Sequence, residues 1–443
     1  MASRVQLQES LQKKYNRLLF AKEVLSPIFN SGFTLFANAV DVSEKPNKSE
    51  SKVIQKVQVY GKITLDDYTE INCYEILLQP NVLIERSRVA IQHYVRKILT
   101  TGQAALINFV SPTYDKVWRL TFISKDSILT EKGVKEKVTH ARRYTYLLGP
   151  SETCRTAAER FESISTEKEN SLDVLIKAFS VERLSKIFFD EYKRHYDRFI
   201  EHLSDKAYKI PFFKNDDKAI RDFTKKLLGR IVFLYFVQKK GWLGASDTNY
   251  SDGDTNFMMN LFLSSGANDT FYPNWLTKLF FDTLNTKVRN DDFELPNGNK
   301  VKIPYLNGGL FDKEEHDDHV LVFNARLFHN TDNPDDPNER GFLDFLNSFN
   351  FTVFEDSPEE HTVAVDPEML GHIFENLLED NKDKGAFYTP KEIVHYMCQE
   401  TLTEYLATQL AKEYKVYRKI GDNQFELFGN ETRTGQLSMI EEI

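Results

Sequence analysis

The densest run of chemically useful residues lies near the C-terminal end, at Lys384-Gly385-Ala386-Phe387-Tyr388-Thr389-Pro390-Lys391-Glu392-Ile393-Val394. Thr389 followed by Pro390 starts a helix: the threonine oxygen can cap it, proline is tolerated at its first position, and Glu392 completes a capping box. Free backbone N–H groups at such a start, beside a hydroxyl and two aromatic faces, suit a small anionic ligand. The same residues also make an ordinary capped helix with no ligand at all.

The hexapeptide Gly385-Ala386-Phe387-Tyr388-Thr389-Pro390, with Ile393-Val394 after it, resembles the G-x-F/Y-Y-T-P-x-x-I-V signature of γ-arrangement adenine-N6 DNA methyltransferases. It is most similar to the bacterial type IIG proteins, which fuse restriction and modification in one chain. Upstream, residues 365–378 resemble the helix that leads into this motif. The resemblance implies that Gly385, Phe387, Tyr388, Thr389 and Pro390 contact the methionine end of S-adenosylmethionine, and that double-stranded DNA is the partner. Such an enzyme also needs a strand ending like D-P-A-x-G-S-G and an N-P-P-Y motif that holds the flipped adenine. Neither motif occurs in the 443 residues. The chain is therefore expected to be a truncated N-terminal portion, inactive in methylation alone, whose methyltransferase portion follows in cis or acts in trans. The alternative is a non-catalytic DNA-binding or assembly module.

A restriction-modification resemblance raises the question of a nuclease at the N-terminus. Nucleases of the PD-(D/E)xK type set an aspartate on one strand and Glu-x-Lys along the next, so that carboxylates hold Mg2+ and the lysine assists water. Asp66 or Asp67, followed by Glu75, has a suitable separation. Leu77 stands where the lysine belongs, and Gln79 comes too late for a strict match. The bland alternative is a hairpin turn at Asp66-Asp67 and an exposed strand residue at Glu75.

Further on, Arg142-Arg143-Tyr144 begins a basic-aromatic run that could grip phosphate and stack a base, or could be a strand whose apolar face is buried while the arginines meet solvent acids. Paired glycines at Gly308-Gly309 permit a tight turn but lack the lysine of a phosphate loop. His316 and His319 have a metal-compatible spacing, yet they sit in an acidic run that reads as an exposed loop. Cys73, Cys154 and Cys398 are too scattered for a zinc site or a disulfide framework, so no metal is assigned and a reducing, cytoplasmic setting fits.

The elements that must position these residues follow from periodicity. Residues 6–29 read as one helix stopped near Pro27; 53–65, 70–78, 104–110 and 117–123 read as strands, with a helix over 82–99. Residues 171–200 read as two amphipathic helices broken near Ser180, and 219–240 as a helix with an almost wholly apolar interior, central to its domain and closed by Gly241. A hairpin turns at Pro296-Asn297-Gly298, a helix and strand follow over 343–354, and 390–411 continue the capped helix. The expected fold is multidomain α+β: a small α/β unit at 1–150 of PD-(D/E)xK-like layout, a helical domain at 151–290, a mixed connector at 291–365, and a helical lead-in to a methyltransferase at 366–443. A hydrophobic content of 41% with 28% charge belongs to a folded chain, and its net charge of −9 excludes wholesale coating of nucleic acid while leaving local basic strips open. No run approaches the ~18 apolar residues of a membrane span.

Overall fold

Ser3 caps the first helix, α1 (Arg4–Leu11), in a reciprocal box with Gln6, and the helix buries Leu7 and Leu11. The chain then breaks, because the Asn16 side chain accepts from Leu19 N–H (3.1 Å) and caps a second helical run over 17–29. The single helix expected over 6–29 is thus two. Pro27 does not stop the second one: a π turn at Ala21–Leu25, where Ser26 N–H reaches back to the Ala21 carbonyl, comes immediately before it and absorbs the disruption. The computed structural model describes residues 3–42, 46–82, 91, 94–95, 104–124, 127–130, 133–136, 142–287, 292–306, 309–317, 320–353, 360–369, 371, 391–410, 417–421, 424–427 and 432–434.

The chain is mixed α+β, with a seven-stranded sheet at its N-terminal end. In spatial order the strands are β1 (Phe33–Asp41), β2 (Ile54–Thr64), β3 (Glu70–Leu78), β4 (Ala104–Val110), β5 (Trp118–Ser124), β6 (Arg142–Leu148) and β7 (Glu360–Thr362). Neighbours are antiparallel except β3 with β4 and β6 with β7. One face buries a cluster that includes Val57, Tyr74, Ile76, Tyr94, Ile107 and Phe109. On the other, Leu106 and Leu120 share one small apolar space with Leu25, Ile28, Phe161 and Phe179. β7 arrives from two hundred residues downstream, and Val363 N–H continues its pairing by donating to the Thr145 carbonyl (2.8 Å).

Helix α2 (Arg155–Thr166) packs on α1, and α3 (Leu172–Phe179) and α4 (Val181–Leu203) meet at Ser180, where the expected break falls. The buried face of α4 carries Phe188, Tyr192, His195 and Phe199 against Phe342 and Phe345 of α6 (Phe342–Asn347). Helix α5 (Asp217–Lys239) is buried almost all round, as its sequence indicated, and Gly241 leaves its end at φ +73°. The hairpin forms between Phe293–Glu294 and Lys300–Val301 with Gly298 at φ +83°. Where a strand was expected after α6, the described residues hold a single bridge from Phe351 to Val365.

Two compact units divide the chain, Met1–Ile373 and Phe374–Ile443. Residues 1–150, 151–290 and 291–365 all fall in the first. The second contains α7 (Lys391–Leu410) and a small antiparallel sheet of Tyr417–Gly421, Gln424–Leu427 and Thr432–Thr434. No helix among the described residues is long and apolar enough to cross a membrane.

His195 supplies a pH prediction. It is 2% exposed, its Nδ1 has no hydrogen-bond partner among the described residues, and burial together with Arg198, Arg340 and Arg194 pushes its pKa down to about 3. The folded chain keeps it neutral while the unfolded chain protonates it near 6.5. This contribution is therefore complete above about pH 6.5 and is lost as pH falls towards 3, at up to about 1.4 kcal/mol per pH unit. Unfolding free energies measured across that window should show the slope in the native chain and a shallower one in His195→Phe.

Candidate functional site

The turn between β2 and β3 fixes which side chains can meet. Asp67 accepts from Thr69 N–H (2.9 Å), a hydrogen bond that holds its carboxyl below the usual range. Asp66 accepts from Asn170 N–H (2.6 Å), so the turn is tied to the loop before α3. Thr64 pairs with Glu70 beside the turn, while Glu75 lies five positions further along β3, opposite Gln58. At about 3.3 Å per residue, that is roughly 17 Å from the turn. Asp66 and Asp67 therefore do not come together with Glu75, and the three cannot share one cation. This corrects the expected geometry: the strand positions adjacent to Glu75 are the middle of β2 and β4, not the end of β2.

What does meet Glu75 is a row running across four strands. Asp41 of β1 pairs with Gln58 of β2, Gln58 with Glu75 of β3, and Glu75 with Asn108 of β4. Gln58 Nε2 donates to Asp41 Oδ1 (3.0 Å), and Tyr60 OH donates to Asn108 Oδ1 (2.8 Å). Arg17, at the start of the helical run 17–29, directs Nη1 towards both Gln58 Oε1 (3.4 Å) and Glu75 Oε1 (3.6 Å). Beneath them Tyr15 and Tyr60 are held well above the usual tyrosine pKa, chiefly by burial and, for Tyr15, also by the Glu75 charge. Cys73 is fully buried and its thiol is pushed up by desolvation, so it is no nucleophile.

These residues do not fit Mg2+. A divalent ion of this kind wants several oxygens, carboxylates foremost, at about 2.0–2.6 Å. The strand position facing Glu75 carries a neutral amide, Asp41 lies a further strand away, and a guanidinium already spans the pair. No group of three or more His, Cys, Asp or Glu among the described residues could hold a metal. His316 instead pairs through Nδ1 with the Phe212 carbonyl (3.1 Å), while His319 lies outside the described residues.

Arg142-Arg143-Tyr144 opens β6, between β5 and β7 in the sheet. Arg143 and Tyr144 are 3% and 5% exposed, so the sheet buries both and presents neither to a duplex. The run is a strand, as the alternative reading had it, but Arg143 is buried rather than turned to solvent acids, and the burial corrects the expected role of both residues as DNA contacts. The Arg142 side chain is outside the described residues.

Gly385, Phe387, Tyr388, Thr389 and Pro390 also lie outside the described residues. The helix expected after them is present as α7, beginning at Lys391. Apolar side chains that include Ile393, Val394, Tyr396, Met397, Leu402 and Tyr405 are exposed along it.

Arg17, Gln58 and Asn108 were invisible to motif reading because none is a titrating catalytic type. A register signal did exist: counting equal distances back from the Asp66-Asp67 turn sets Gln58 opposite Glu75.

The chain is similar to a Methanocaldococcus jannaschii protein provisionally described as a type II restriction enzyme and methyltransferase, with 28% identity over 214 residues. The match covers 46% of this chain and 16% of that protein, so the chain spans only a small part of its relative's length. No family profile matches the chain, and no solved structure matches it.

Proposed function

We propose that the chain is part of a DNA-directed restriction-modification protein of the type IIG kind. Gly385, Phe387, Tyr388, Thr389 and Pro390 would hold the methionine end of S-adenosylmethionine, and adenine-N6 methylation would be completed by a methyltransferase portion in cis or in trans. The observation that carries this reading is the Gly385-Ala386-Phe387-Tyr388-Thr389-Pro390 motif set directly before a long helix, Lys391–Leu410. Similarity to the M. jannaschii protein supports its restriction-modification part. When bound, the cofactor supplies an activated methyl group. The chain's own contribution is to offer backbone N–H groups and the Thr389 hydroxyl to the carboxylate, with Phe387 and Tyr388 as packing faces.

Double-stranded DNA is the corresponding partner. Linked Mg2+-dependent cleavage, which the resemblance also implies, draws no support from the N-terminal sheet, where the acids are separated. That separation favours, for this sheet, the second reading: a module that binds or assembles without cutting.

Equilibrium titration of the full chain with S-adenosylmethionine tests the cofactor site. Tyr388→Ala should weaken binding by about tenfold, equivalent to ~1.4 kcal/mol. Equal affinity in the variant, or no binding by the native chain, would count against it.

A further inference from the structure

The Asp41, Gln58, Glu75, Asn108 row has the layout of a cation site and the wrong occupant. Adjacent strands stand about 4.8 Å apart, so Gln58 and Glu75 project side by side from neighbouring positions, as the two acids of a metal-dependent nuclease must. Between them lies the Arg17 guanidinium, 3.4 Å from the oxygen of one and 3.6 Å from an oxygen of the other. We infer that Arg17 is the resident cation of this row: its guanidinium takes the place a divalent ion takes between two carboxylates, leaving the sheet a metal-independent unit.

Three features carry this. A guanidinium is permanently charged and presents planar donors matched to paired oxygens, so it neutralises Glu75 without the ligand set a metal demands. Gln58 is the complement of that choice, since an amide can accept from Arg17 and still donate to Asp41 (3.0 Å), whereas an ionised acid could only accept. The third is partial access. Side-chain exposures of 32% for Arg17 and 21% for Glu75 leave the row open to solvent, so a small ion could enter if the guanidinium were gone. At the inner end of the row, Asn108 is wholly buried and its Nδ2 has no hydrogen-bond partner among the described residues. The row is independent of residues 385–390, and its test can succeed or fail whatever becomes of the cofactor site.

Mn2+ is the probe, with free ion in solutions of the full chain followed by electron paramagnetic resonance. The native chain and Glu75→Gln should give the same titration, because Glu75 holds no metal. The double variant Arg17→Met/Gln58→Glu removes the guanidinium and supplies a second carboxylate of the same length. It should bind one additional Mn2+ per chain, and saturating Mg2+ should raise its melting temperature by roughly 3 °C. Adding Glu75→Gln to the double variant should abolish both effects. Mn2+ bound by the native chain and lost in Glu75→Gln would overturn the inference. So would a double variant that is folded by circular dichroism yet binds no more Mn2+ than the native chain. The comparison of the native chain with Glu75→Gln decides the matter even if the double variant does not fold.

Discussion

Arg230→Met should destabilise the chain by about 3–5 kcal/mol. Arg230 comes from the middle of α5 and meets Asp317 with two parallel bonds, Nη1 to Oδ1 at 2.6 Å and Nη2 to Oδ2 at 2.9 Å. Both side chains are almost entirely out of water, at 1% and 2% exposure. Two further donors are used, Nε on the Leu310 carbonyl (2.8 Å) and Nη2 on that of Asp312 (2.9 Å), while the guanidinium lies over Phe281 at 5.0 Å. Truncation therefore leaves a buried carboxylate with no countercharge and only the Glu314 N–H (3.0 Å) donating to it, and strips the donor from two carbonyls, which costs more than the pair itself contributes. Asp317→Leu on the Arg230→Met background should recover part of the loss, because an apolar pair leaves no uncompensated charge. Urea denaturation of the native chain and the two variants measures it, and a loss under about 1 kcal/mol for Arg230→Met would show that the segment after Leu310 is not held from α5.

Asp344→Ala is the second large effect. Its Oδ2 accepts from Asn330 N–H (2.8 Å) and Gly341 N–H (2.9 Å), and Oδ1 pairs with His329 Nδ1. One carboxylate at the start of α6 thus fixes both the chain before that helix and the helix entry itself. Space is tight there: a Cβ at Gly341 would fall 2.3 Å from the Phe328 carbonyl. Two buried amides without acceptors cost about 1–3 kcal/mol each, so a loss of roughly 2–6 kcal/mol is expected. Asp344→Asn, which keeps an acceptor oxygen but turns an NH2 group towards a donor, should fall between. Thermal unfolding distinguishes the two, and equal stability of Asp344→Ala and the native chain would contradict the assignment.

Local pattern was legible where one face or one period dominated. Glu70–Leu78 and Ala104–Val110 were read with their observed limits, the break between α3 and α4 at Ser180 was read correctly, and so was the length of α5. Strand β1 was missed because it lies at the sheet edge with most side chains exposed and a register shift between Leu35 and Val40, so no alternation marks it. The break between α1 and the run 17–29 was missed for the opposite reason. Apolar spacing continues through it, and only the Asn16 cap reveals the new start. β7 could not be anticipated, since a three-residue strand carries no pattern and its partner lies two hundred residues away. The same limit applies to the Arg17 row. Glu75 was legible as a candidate acid, but its neighbours are set by pairing across strands and by a helix that folds back over them. Arg143 and Tyr144 looked like nucleic-acid contacts by type, and the burial that excludes them comes from the interior position of β6, between β5 and β7, in a sheet covered on both faces there.

The central proposal is that residues 385–390 serve a DNA adenine methyltransferase whose catalytic motifs are supplied in cis or in trans. Reading the coding DNA past the codon for Ile443, in all frames and for a few hundred codons, tests it most directly. The account predicts a D-P-A-x-G-S-G-like strand end followed by N-P-P-Y, in frame or shifted. Unrelated sequence in every frame would contradict a single-gene origin and leave a stand-alone module or a subunit whose catalytic partner is encoded elsewhere.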